Sequence, residues 1–414
     1  MTAWIPEWRV TVGDDVYTTV TNVVLNTGRT DIDKQASAGY SQIEIVNATN
    51  APFTIDVTDS ITLELKQSDG TYYPVFGGQV SDFSISVRSP EETGYITRGT
   101  IIAVGTLSRL TKAIYTDTLS EALDGEQISQ ILEGLLVNSW NEVAPSSDWS
   151  LYDPTTTWTN AENVGLGTID SGLYTMVNLS AGSYIMKDLI DQIANSGLGQ
   201  IYEDNQGRIT YADADHRTLE LSANGFTTID GAFARPSTVA SILQIARIRN
   251  ALVIHYGNNY NNDYLTTDAT SIATYGRFQR EIFSNIKQAS DIETVASRDI
   301  ALRSTPRAQL DTITFRLDNP DMDDTTRDNL INIAFGEPVL ITNLPANMFN
   351  GQFDGFVESV KLSATTSYVD LTLYVSPTDF SLVAPQWETV SPASLIWTGV
   401  NATLTWENAI GALT

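Results

Sequence analysis

Apolar and polar residues alternate along most of the first hundred positions. Arg9–Val12 and Val16–Leu25 alternate, Gly28-Arg29-Thr30 interrupts, and Tyr40–Val46 (YSQIEIV) puts Ile43 and Ile45 on one face. Ile61–Leu65 repeats the pattern, Asp69-Gly70 supplies a turn, and Tyr72–Phe76 returns. Phe83–Val87 and Tyr95–Val104 follow, separated by Ser89-Pro90 through Gly94. Period-two alternation of β-branched and aromatic residues, punctuated by Gly, Asn and Asp, is the mark of half-buried strands. Asp-Gly suits a two-residue hairpin turn, whose central positions need positive φ. The stretch predicts a small antiparallel barrel that closes near Tyr115.

The period then changes. Asp124–Asn138 places Ile128, Ile131, Leu132, Leu135 and Leu136 on one helical face, with Asp124 as the expected cap and Gln127 three residues on. Ser183–Asn195 repeats this with Tyr184, Ile185, Leu189, Ile190 and Ile193, and Gly197 is a natural stop. Gly199–Glu203 and Arg208–Asp213 read as a hairpin about Asp204-Asn205-Gln206-Gly207. Asn250–Tyr256 is a strand, followed by a polar loop to Asp263, and Ser290–Arg303 is a helix with a Ser290 to Glu293 capping box. Gln309–Leu317 alternates again, Gly336–Thr342 is a strand entered through a turn, and Gly351–Lys361 and Tyr368–Val375 complete a second strand set. The fold expected is β-rich α+β, with two antiparallel β-barrel domains carrying helical and hairpin insertions. Residues 1–115 form the first barrel and 116–240 a helical and hairpin insertion. Residues 241–385 form the second barrel, with a helical insertion near 290–303, and 386–414 a Trp-containing tail.

Composition narrows what such a chain does. Its 414 residues suffice for two or three domains, and 42% hydrophobic against 18% charged content describes a folded chain. Fifty acids against 23 bases leave a net charge of −27. A nucleic-acid reader needs a basic footprint, so sequence-specific nucleic-acid binding is not expected. Without cysteine there is no disulfide, thiolate nucleophile or Cys zinc site. Met1–Trp8 lacks a signal peptide's basic start and apolar core, and no apolar run reaches the 18 or so residues of a transmembrane helix, so no stable membrane insertion is expected.

The order of the pieces carries a resemblance. A Trp/Val-rich opening strand leads to a Gly-Arg-Thr-Asp-Ile-Asp corner (28–33) and then YSQIEIVN. Next come Asp59-Ser-Ile-Thr-Leu, a hairpin and Phe76-Gly-Gly-Gln-Val80. Later a helix precedes the hairpin GQIYEDNQGRITY (199–211), and Ser271, Ile272, Tyr275 and Gly276 form a further element. GEPVLIT, FDGFVESV and a closing LTL then echo the first barrel. This resembles the tail hub (baseplate hub, minor tail) proteins of long-tailed phages, of the siphophage type. The resemblance implies a structural virion protein at the tail tip, assembled in the host cytoplasm. It implies a homotrimer whose two related barrels per subunit make a pseudo-sixfold ring on the tail tube. Partners would be the distal tail or tail tube protein, the tape measure protein and receptor-binding or fibre proteins. DNA would pass a negatively charged annulus.

Sites of chemistry are sparse. The Ser/Thr/Asn-rich tail holds Trp387, Trp397 and Trp406, a candidate surface for partner docking or for packing on its own subunit. The loop-rich stretch after Trp140, with Trp149 and Trp158, is a candidate for sugar contact or for inter-domain packing. A carbohydrate-binding tail-tip module is therefore the alternative function, and an enzyme that opens peptidoglycan a third. The two histidines read blandly: His255 as a satisfied residue of an apolar strand, His216 as an exposed turn residue beside Asp213 and Asp215. Asp318, Asp321, Asp323 and Asp324 lack the glycine and closing glutamate of a calcium loop, and capping of a helix by Asp323 or Asp324 accounts for them. No Walker loop or G-x-G-x-x-G is present. No catalytic, cofactor-binding or metal-binding residue is assigned.

Overall fold

The alternating stretches at the two ends of the chain meet edge to edge in one sheet. The computed structural model describes residues 4–49, 51–91, 94–138 and 167–382. Strands β1 (Trp8–Val12), β2 (Asp15–Tyr17), β3 (Val20–Gly28), β4 (Ser37–Asn47), β5 (Ser60–Lys66), β6 (Tyr72–Glu91) and β7 (Gly94–Val104) pair antiparallel in the order β2-β1-β5-β6-β7-β4-β3. The chain next forms α1 (Leu107–Leu110), β8 (Ile114–Tyr115), β9 (Ala122–Leu123), α2 (Asp124–Asn138), β10 (Thr175–Met176), β11 (Tyr184–Ile185) and α3 (Met186–Ser196). The hairpin β12 (Gln200–Glu203) and β13 (Ile209–Ala212) follows, then α4 (His216–Asn224), β14 (Thr227–Asp230) and β15 (Ser241–Leu243). A separate small sheet, β16 (Ala251–Tyr256), β17 (Asn262–Thr267) and β18 (Gln279–Ser284), encloses α5 (Ala269–Tyr275) in its connection and leads to α6 (Ala289–Arg303). The last set is β19 (Ala308–Arg316), α7 (Asp324–Asn332), β20 (Pro338–Thr342), β21 (Phe353–Thr365) and β22 (Val369–Pro377).

Strand β21 is the seam. One edge pairs with β22. The other pairs with β20 over Phe353–Phe356 and with β3 over Ser359–Thr365. The result is a 13-stranded sheet running β15-β19-β22-β21-β3 and on to β2, with β14 and β20 attached beside the path. The two expected barrels correspond to two halves of this sheet, and no strand pairing closes either half among the described residues. In the first half, β3 gives its free edge to β21, and β2 at the other end of the order pairs, among the described residues, only with β1. The inward residues of both halves, among them Val10, Ile43, Ile45, Leu63, Phe315, Ile341 and Leu371, form one apolar core.

A second core joins chain segments far apart in sequence. Ile128, Ile131 and Leu132 of α2, Ile190 and Ile193 of α3, and Ile201 and Tyr211 of the hairpin pack with Leu252 and Ile254 of β16 and Ile292 and Ala296 of α6. The small sheet and α6 thus pack with the helices of the 116–240 region.

Several local expectations change. Val16–Leu25 splits into β2 and β3 at Thr18-Thr19. Tyr72–Phe76 and Phe83–Val87 belong to one strand, β6, whose register shifts at Val80/Asp82 and Val87/Ser89. Asp124 does not cap α2. Its Oδ1 accepts the N–H groups of Leu173 (2.8 Å) and Tyr174 (2.9 Å), and its Oδ2 accepts the Tyr211 hydroxyl, so it ties the helix to a neighbouring loop and strand. Ser290 does not open a capping box, because α6 begins one residue earlier behind Gln288, which makes no side-chain cap bond.

Gly77 and Gly78 both lie inside β6. The turn of the β12–β13 hairpin presses on the strand there, and a Cβ on Gly77 would run into the backbone of Gln206 and Gly207. Thr106 Oγ1 fastens the same turn by donating to Gly207 O at 2.6 Å. Backbone on both sides has no room to give. Gly77→Ala is therefore expected to lower stability by roughly 1–3 kcal/mol, with an unchanged urea m-value. An unfolding midpoint equal to that of the parent would show that the hairpin does not seat on β6.

Candidate functional site

At the seam, β21 carries a bulge. Its pairing with β22 jumps between Val357 and Ser359, and the extra residue is Glu358. A bulge re-aims the side chain it carries, and here a fully buried carboxylate results. Its Oε2 accepts from Arg29 Nε at 2.7 Å. Its Oε1 accepts from Arg217 Nη1 at 2.8 Å and from Ser376 Oγ at 2.6 Å. Burial alone would raise this carboxyl, but the Arg217 and Arg29 guanidiniums outweigh it and hold it down at about 2.

The backbone of the 28–33 corner wraps the same group. Arg29 N donates to Glu358 O at 2.7 Å. Gly28, at φ +84°, lies so close that a Cβ would strike that carbonyl. Arg29 Nη1 also donates to Lys34 O at 2.9 Å. Arg217, near the start of α4, extends to Ser381 Oγ (2.7 Å) and Gln200 Oε1 (2.9 Å) and lies over the Phe356 ring at 4.8 Å.

A second charged layer lies beside the first. Asp33 pairs with Arg249 just before β16, and Arg280 of β18 stands 3.9 Å from it. Burial works against the Asp33 charge, but Arg249 and its neighbours hold the carboxyl below its usual range. Arg249 Nη1 also donates to Asp299 Oδ1 of α6 at 3.1 Å. Between the layers opens a cavity of about 420 Å³ lined by Arg29, Arg217, Arg249, Arg280, Arg298 and Arg303, and by the acids Asp33, Asp213, Glu281, Asp299 and Glu358. Its walls come from the main sheet and from the second core. Guanidinium groups of this density stitch the parts together and present donors to an anionic group. Neither histidine lines the cavity.

The residues singled out from sequence lie elsewhere. His216 begins α4 and its Nδ1 bonds Asp170 Oδ2 at 2.8 Å; that bond raises its proton affinity. His255 lies between Glu281 (2.7 Å) and Asp263 (2.6 Å), both of which raise it, and stacks on Phe283 at 4.8 Å. Asp213 Oδ1 accepts the N–H groups of Asp215 and His216, and Asp215 pairs with Arg298 at 2.6 Å. Asp323 caps α7 by accepting Thr326 N at 2.8 Å, Asp324 pairs with Arg327, and Asp318 Oδ1 accepts Val369 N at 3.0 Å. Among the described residues no three His, Asp or Glu side chains are grouped to hold a metal ion, and no helix is long and apolar enough to cross a membrane. Trp140, Trp149, Trp158, Trp387, Trp397 and Trp406 lie outside the described residues.

No family model matches the chain, and no curated protein sequence matches it. Solved structures do match. The 43 kDa tail protein of prophage MuSo2 from Shewanella oneidensis aligns with a TM-score of 0.51 at 12% identity, covering 91% of this chain and 99% of that one. The tail protein from Neisseria meningitidis MC58 aligns with a TM-score of 0.57 at 8% identity, over 91% and 98%. The chain has the fold of these tail proteins. The likeness to phage tail proteins read from the sequence therefore holds at the level of the fold.

The charged junction was not legible beforehand. Gly28-Arg29-Thr30 stands out as a break in alternation and as the start of the 28–33 corner, with nothing to pair Arg29 with a distant acid. Glu358 appeared as one acid in FDGFVESV, and a bulge is what turns it inward. The one available signal was a lone carboxylate amid Phe356, Val357 and Val360.

Proposed function

We propose that this chain is a structural, non-catalytic protein of a phage tail, the hub at the distal end of the tail tube. Three copies form a ring there. The ring joins the tube, through the distal tail or tail tube protein, to receptor-binding or fibre proteins, holds the end of the tape measure protein and lets DNA pass. One observation carries the reading: the likeness in fold extends over nine-tenths of this chain and nearly the whole of two tail proteins.

Other features fit it. The net charge of −27 per chain would keep DNA off the walls of a ring. The hairpin of β6 and β7 leaves Ile85, Val87 and Tyr95 more than half exposed, an apolar surface suited to burial on assembly. The two halves of the main sheet serve in this reading as two barrel-like units. The second is drawn round where Ala234, just after β14, bridges Phe315 of β19. The domain division we propose assigns β1–β7 to one unit and β14, β15 and β19–β22 to the other. The helices and small sheet of the second core then form a single insertion.

Light scattering with negative-stain imaging of the same peak tests the assembly. The expected result is a species of three times the 45.3 kDa chain mass with a three-fold ring. A mass that stays at one chain at all concentrations, alone and mixed with tail tube protein, would remove the hub.

A further inference from the structure

The cavity at the seam holds a buried guanidinium with unmade hydrogen bonds. Six arginines line it against five acids, in a chain that is strongly acidic overall. Glu358 is taken by Arg29 and Arg217, and Asp33 and Asp299 by Arg249. Arg303 remains. It is 9% exposed and lies over the Phe380 ring at 4.1 Å, and its Nε and Nη1 have no hydrogen-bond partner. Asp299 stands one turn back on the same helix, but its Oδ2 is also without a hydrogen-bond partner. Burial and the nearby Arg249 lower Arg303 to about 10, which leaves it charged at neutral pH. A buried guanidinium with unmade hydrogen bonds is costly to keep. Arg217 Nε, on the same cavity, lacks a partner as well.

We propose that this cavity is an oxyanion site, in which Arg303 is the principal donor and Arg280 and Arg217 flank it. The ligand is either a small inorganic oxyanion or a carboxylate presented by an acidic peptide of a partner. Both offer the acceptor oxygens that guanidinium groups take, and a cavity of about 420 Å³ has room for either. The proposal stands apart from the tail-hub reading and needs no ring.

Thermal melting of the intact chain tests it, with inorganic phosphate and, separately, hexaglutamate titrated at constant ionic strength. Parent protein is expected to show a saturable rise in Tm. Arg303→Met keeps an apolar stem of similar length but removes the guanidinium that lies over Phe380; whatever its melting temperature without anion, it is expected to lose the rise. Arg280→Gln, at a more exposed position, is the second variant, and is expected to weaken half-saturation about tenfold. Saturation by phosphate alone identifies a small anion. Saturation by hexaglutamate at lower concentration identifies a partner's carboxylate. A rise that is linear and equal in parent and Arg303→Met is the general salting effect, and that result, or no rise at all, overturns the site.

Discussion

Glu358→Ala is expected to lower the unfolding free energy by roughly 3–5 kcal/mol, the usual effect of removing one partner from a buried ion pair. The loss comes less from the missing bonds than from what stays behind. Arg29 and Arg217 are each under a tenth exposed and would keep their charges beside an empty space. Ser376 Oγ would also lose its acceptor. Because the bulge holds β3, β21 and α4 at one point, the damage would reach the seam between the sheet halves. Glu358→Gln, which keeps shape and one acceptor, should fall between the two. In a double-mutant cycle, Arg217→Met should cost clearly less in the Glu358→Ala background than in the parent. Urea midpoints with unchanged m-values are the measurement. A loss below about 1 kcal/mol would mean the carboxylate is not the centre of this junction.

Stability is expected to peak on the acid side of neutrality and to fall by about 2–3 kcal/mol between about pH 5 and pH 8, at some 1.4 kcal/mol per pH unit. The group responsible is Glu203, at the end of β12. Its carboxyl is pressed against Gly39 and Gly105, accepting from Gly39 N at 2.8 Å and from Leu107 N. Burial pushes it up to about 7, against the pull of those two donors. The folded state therefore binds a proton that the unfolded chain has released above about pH 4.5. Stability is lost as pH rises towards 7, then levels off. His216 and His255, both raised by carboxylate partners, shift the balance in the same direction through neutrality. Below about pH 4.5 the sign reverses. Glu358, held down at about 2, and Asp33, held low, must take up protons, and their contribution goes. Tm profiles of the parent and Glu203→Gln decide this. The variant should lose most of the slope between pH 5 and 7, whatever its absolute Tm, and an identical slope would acquit Glu203.

The strands and amphipathic helices were legible because each has one wet face and one dry face. Ile43 and Ile45, or Ile190 and Ile193, declare their buried side through spacing alone. What lay hidden depended on neighbours distant in sequence. Gly77 has no reason to be glycine until a turn more than a hundred residues later is laid against it. Asp124 sits where a cap belongs, but bonds to Tyr211 were open to it and prevailed. The junction draws Arg29, Arg217, Arg303 and Glu358 from four separate elements, and no local window contains two of them. Glu203 is equally opaque: it occupies a polar position of a hairpin, and only docking on Gly39 and Gly105 takes its carboxyl from water.

The seam has a consequence for how the chain comes into being. Thr27 of β3 bonds to the carbonyl of Val360, 333 residues further along. While the polypeptide is being made, β3 must wait with an unpaired edge until β21 exists. Pairings of such long range are slow to form, and a waiting edge invites neighbouring nascent chains to pair with it. Lys and Arg are scarce here, so the acidic excess that repels one growing chain from the next is the protection available during that delay. On a polysome, concentrated salt would remove that protection first.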